Sequence, residues 1–88
     1  MLILSQDQNV IINTEQVIGF QLGDSATYER DANSGNLIKR TALSAIMPDG
    51  KIIKIAEYTL YEMAITVRNS ILSSYKSGAK TMTLPSEK

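Results

Sequence analysis

The sequence predicts an α+β fold: an antiparallel β-meander of about five strands with one C-terminal amphipathic α-helix. Three observations carry that prediction. Short apolar runs separated by turn residues recur from Met1 to Tyr58. The tripeptide Pro48-Asp49-Gly50 stands between two strand-like runs. After Thr59 the apolar pattern changes from alternation to helical spacing. A chain of 88 residues has room for one domain and a modest core. Residues 1–78 are expected to form that domain, and residues 79–88 a C-terminal tail or docking arm.

Leu2–Leu4 and Asn9–Asn13 flank the polar Ser5-Gln6-Asp7-Gln8 and read as a tight two-stranded hairpin. Both runs are continuously apolar, a pattern that implies burial on both faces. One helix cannot cover both faces of a small sheet. A second subunit is therefore expected over the outer face, with Val10 and Ile12 at the contact; the alternative is that these strands are central. Glu15–Leu22 reads as a third strand, in which Gly19 marks a position of sheet twist; the alternative is a bulge or the close approach of another backbone. Residues 23–36 hold little apolar content and many turn residues. An unstructured loop of that length is functional or disordered. Its Tyr28 and Arg30 are suited to grip a ligand, by stacking and by a bidentate fork.

The next hairpin has the sharpest local signal. Pro48 presets φ, Asp49 tolerates turn geometry and Gly50 supplies positive φ, which fits a type I turn with a glycine bulge. That register opposes Met47 to Lys51, Ala45 to Ile53, Leu43 to Ile55 and Thr41 to Glu57, and these residues form the expected core face. The mixed face then pairs Ile46 with Ile52, Ser44 with Lys54, Ala42 with Ala56 and Arg40 with Tyr58.

Thr59 and Glu62 have the spacing of a capping box, with Tyr58 and Met63 at the staple positions. On that reading Thr59→Ala costs about 1 kcal/mol. Leu60, Met63, Ala64, Val67, Ile71 and Tyr75 form one helical stripe. Tyr61, Ile65, Arg68 and Leu72 form a second, more apolar than a solvated face requires, and Ile65 and Leu72 are assigned to the oligomer contact. Lys76 suits the C-terminal dipole, and Gly78 a left-handed cap. Beyond it, Thr81-Met82-Thr83-Leu84 alternates until Pro85. This stretch is either a frayed tail or an arm that docks on a partner or on an open sheet edge.

The chain contains no cysteine and no histidine. Disulfides, thiolate metal sites and the usual general base are thereby excluded, and with them Ser-His-Asp and Cys-His chemistry. No phosphate loop, dinucleotide fingerprint, EF-hand or metalloprotease helix occurs. The expectation is a non-enzyme with no catalytic residue, no metal and no cofactor. The apolar runs are too short to span a membrane, and Met1-Leu2-Ile3-Leu4 lacks the basic flank of a signal peptide. A cytoplasmic protein is expected.

Net charge is +0, with the acidic residues concentrated before position 32. Lys39, Arg40, Lys51 and Lys54 gather on the second hairpin, and Arg40, Ser44 and Lys54 share its mixed face. Such a face suits a phosphate or an RNA backbone. Zero net charge and the lack of interleaved aromatics argue against nucleic acid. Lysines there also guard a strand edge.

The opening M-L-I-L-S-Q-D-Q-N-V-I-I-N is followed by a strand, a variable loop, a hairpin ending in G-K-I-I-K-I-A-E-Y, and a helix. This arrangement resembles a group of small proteins of Firmicutes and their phages and mobile elements. The resemblance covers the first 22 residues and the strand-to-helix junction. It implies a mobile-element setting, with the host cytoplasm as location. The expected function is a non-enzymatic binding protein, a phage-encoded inhibitor of a bacterial defence system acting on a protein target. One alternative is an oligomeric sponge that holds a nucleotide-like signal with Tyr28, Arg30, Arg40 and Lys54. Another is a nucleic-acid-binding accessory protein.

Overall fold

Six strands and one helix follow each other as β1 (Leu2–Leu4), β2 (Ile11–Asn13), β3 (Gly19–Arg30), β4 (Leu37–Ile46), β5 (Ile52–Tyr58), α1 (Tyr61–Lys76) and β6 (Thr81–Thr83). The computed structural model describes residues 1–87, and the side chains of all of these except 26–29. The fold is α+β, as the sequence predicts. The strands divide into two sheets of order β2-β1-β6 and β3-β4-β5, the second an antiparallel meander.

The first hairpin forms with Ile3 opposite Ile12. Its turn is closed by Ser5, whose hydroxyl accepts from the Val10 N–H and donates to the Asp7 carboxylate at 2.7 Å. Within one chain this hairpin is covered on one face only. Ile3 is fully buried, whereas Leu2 and Ile11 face outward. Alternation along each three-residue strand sends one side chain inward, and among the described residues no layer lies over the other face of this sheet.

Glu15 was expected in a strand but lies in a 3-10 turn, Thr14–Gln16, which Asn13 caps by accepting from the Glu15 N–H. The strand starts only at Gly19 and then runs on to Arg30. Residues 23–36 are therefore not a long loop. β3 and β4 pair again beyond an irregularity between Asp24 and Tyr28, and the connection shrinks to residues 31–36. Asp31 organises it, accepting from the Asn33 N–H and the Ser34 hydroxyl. Polar composition marked this stretch as a loop, but a projecting hairpin arm has little core to face and needs little apolar content.

The β4–β5 turn forms as expected. Gly50 has φ 89° and donates to the Met47 carbonyl. Ile46 opposes Ile52, Ala45 opposes Ile53 and Ser44 opposes Lys54. The register then shifts at a bulge, and Leu43 opposes Ala56, Ala42 opposes Glu57 and Thr41 opposes Tyr58. One extra residue exchanges the faces of everything beyond it. Ile55 and Ala56 are consequently both buried. Tyr58, expected beside Arg40, is inside. Glu57, expected inside, faces out beside Arg40.

α1 begins two residues after Thr59. Its N-cap is Leu60, which offers no side-chain bond, so the expected capping box does not form. Ala64, Val67 and Ile71 are buried against the meander, while Leu60 and Tyr75 of the same predicted stripe are exposed. Gly78, with φ 82°, takes the left-handed cap position, and the Ala79 N–H donates back to the Ser74 carbonyl. β6 then pairs in parallel with β1, Ile3 opposite Met82. One core joins Ile3 and Ile12 to Leu43, Ala45, Ile55 and Tyr58, to the inner face of α1, and to Leu84. No helix is long and apolar enough to cross a membrane among the described residues.

Candidate functional site

Two places on the surface gather side chains that the sequence singles out as candidates for binding. The first is a polar junction around Glu57. Arg40, from β4, donates to the Glu57 carbonyl at 3.1 Å, and its Nε lies 3.9 Å from the Glu57 carboxylate. Lys54 approaches the same carboxylate at 3.3 Å. The Ser25 hydroxyl donates to it as well. On the opposite side Gln6 behaves like one more strand residue. Its amide accepts from the Glu57 N–H and donates to the Glu57 carbonyl, both at 2.9 Å. Its backbone N–H donates to the Ile55 carbonyl. Backbone groups on the open edge of β5, at the bulge and beyond it, are satisfied in this way, and the two sheets are tied together.

The C-terminal segment closes the junction. Glu87 accepts from Arg40 Nη2 at 2.9 Å and from the Thr59 N–H and hydroxyl. A carboxylate so near the start of α1 also suits the helix dipole. Thr59 is thus engaged with Arg40 and Glu87 rather than with the first turn of the helix.

The four residues expected to grip a ligand do not converge. Arg40 and Lys54 meet, but on Glu57. Arg30 donates to the Gly35 carbonyl and closes its own turn. Leu37, the register partner of Arg30, lies three residues from Arg40, about 10 Å of strand. Tyr28 lies in β3 opposite Lys39, and its side chain is outside the described residues. Among the described residues no buried side-chain nitrogen or oxygen lacks a partner, and no group of His, Cys, Asp or Glu is placed to hold a metal.

The second place is an apolar groove of ≈ 550 Å³ between α1 and the approach to β3. One wall is the chain from Val17 to Phe20. The other is the α1 face of Arg68, Leu72 and Tyr75. Ile18 is 67% exposed, and Leu72 and Tyr75 are each more than half exposed. Arg68 is the one charged residue of the lining, and its side chain has no hydrogen bond or ion pair among the described residues. The 3-10 turn makes this groove by carrying Val17 and Ile18 past the sheet before β3 begins. The second helical stripe signals one wall in the sequence; the other had no signal, because residues 15–18 read as strand.

Of the residues assigned to an oligomer contact, Leu72 lies in this groove, exposed, and Ile65 is half-buried two turns earlier. Val10 is half-buried and packs on the core. Ile12 is 4% exposed and belongs to the chain's own core, so it cannot serve an interface; its neighbour Ile11, 66% exposed, carries the outward position. Compared with protein-family models, curated proteins and solved structures, the chain matches none.

Proposed function

We propose that the chain is a non-enzymatic binding protein that engages a protein target through the groove between α1 and the start of β3. In the phage or mobile-element setting that its resemblance implies, that target is a component of a bacterial defence system acting in the host cytoplasm. The observation that carries this reading is the run of exposed apolar side chains Ile18, Leu72 and Tyr75 around one concave surface. Contiguous apolar patches on small proteins mark interaction sites. The nucleotide-sponge reading has less support, because Arg40 and Lys54 already face carboxylates and Arg30 closes its own turn. We also propose that the chain self-associates, through the outer face of the small sheet rather than through the groove.

The test is phage plating on bacteria that carry defined defence systems, with and without the chain expressed. Wild type restores plating on at least one defended strain, and Leu72→Asp, an exposed position, loses that effect while keeping the native circular dichroism spectrum. No rescue across the panel refutes the inhibitor reading. Equal rescue by Leu72→Asp removes the groove from it.

A further inference from the structure

The chemistry of the groove identifies what kind of protein element it takes; this inference rests on the groove being the contact proposed above. Tyr61, Ile65, Arg68, Leu72 and Tyr75 succeed one another along α1 at alternating steps of four and three residues. That is the 3.5-residue repeat by which one helix seats against another. The stripe spans about 21 Å of helix, four turns. Ile65 is half-buried and the other four positions are exposed. Ile18, across the groove, supplies the second wall that a seated helix needs.

Arg68 stands at the middle of this seam. Among the described residues it has no ion pair, and no carboxylate lines the groove. A second copy docked here by an antiparallel two-fold pairing of α1 would set Arg68 against Arg68. Like charges brought together in a partly desolvated seam oppose that pairing. A partner carboxylate at the same level instead makes a charge-assisted bond. We propose that the groove binds an amphipathic helix of another protein, with apolar residues at heptad spacing and an Asp or Glu where it meets Arg68.

The experiment uses two fluorescent helical peptides of about three heptads, leucine-seamed and identical except for Glu or Lys at the central seam position. Anisotropy titrations are made against the full chain and against its Arg68→Glu and Leu72→Asp variants. The Glu peptide binds wild type about tenfold more tightly than the Lys peptide, Arg68→Glu reverses the order, and Leu72→Asp weakens both. Because Arg68 and Leu72 are exposed, the variants retain the fold, which their circular dichroism checks. Binding of neither peptide, or a preference that Arg68→Glu does not reverse, overturns the proposal. So does a wild-type dimer that Leu72→Asp dissociates, which gives the groove to a second copy. Peptide failure with Leu72-dependent plating intact overturns the helix partner alone; loss of both removes the groove.

Discussion

Tyr58 enters the core only because β5 bulges before it. Its ring is fully buried, and its hydroxyl donates to the Pro85 carbonyl at 2.8 Å. Burial, with the nearby Glu87 carboxylate adding to it, pushes the phenol up to about 12. The unfolded phenol titrates near 10. The native state therefore holds this proton more tightly than the unfolded state. Its contribution to stability is complete below pH 10 and is lost as pH rises through about 12. Tyr58→Phe keeps the ring and removes the titrating group. Wild type should lose melting temperature steeply between those limits, and the variant should lose distinctly less. Parallel melting curves from pH 9 upward would show that the hydroxyl is not held this way.

At the scale of the element, the C-terminal segment is a structural strand rather than a fringe. β6 completes the small sheet, the Leu84 N–H donates to the Leu4 carbonyl, and Leu84 is 2% exposed. Pro85 and Glu87 then hold it to Tyr58, Arg40 and Thr59. Leu84→Ala should cost about 2–3 kcal/mol, read as a lowered urea midpoint with an unchanged slope. A loss below about 0.5 kcal/mol, the range of ordinary surface substitutions, would mean that the tail is frayed. Alternation in Thr81–Leu84 makes an arm legible, with an open sheet edge as one of its two acceptors; which edge is not legible. β1 was readable as a strand, and nothing local says that its free edge takes a parallel partner from the other end of the chain. The same limit explains the other differences. Pro48-Asp49-Gly50 encodes its own turn, so the register next to it was readable. The bulge at Ile55, whose carbonyl accepts from Gln6 far away in sequence, is announced by no local pattern. The turn register alone puts Arg40 and Lys54 on one face; that Glu57 joins them requires the bulge. The groove was half legible, through the second stripe of α1.

For the whole molecule, the small sheet poses the remaining question. Its inner face is covered by the common core, and its outer face presents Leu2, Leu4 and Ile11 beside Thr81 and Thr83. No element of the chain packs there among the described residues. The self-association proposed for this face removes those side chains from water and needs nothing from the groove. The patch is small against the roughly 800 Å² per partner of a standard interface, so the dimer should be concentration-dependent. Ile11 is the position to probe, because its neighbour Ile12 would damage the core instead. Light scattering on a dilution series should show wild type moving from dimer toward monomer. Ile11→Glu should remain monomeric throughout with an unchanged melting temperature, since each apposed copy would bring a carboxylate into an apolar contact. Leu72→Asp should leave the dilution curve where it is. A wild-type monomer at every micromolar concentration would leave the outer face of β1 and β2 simply solvated.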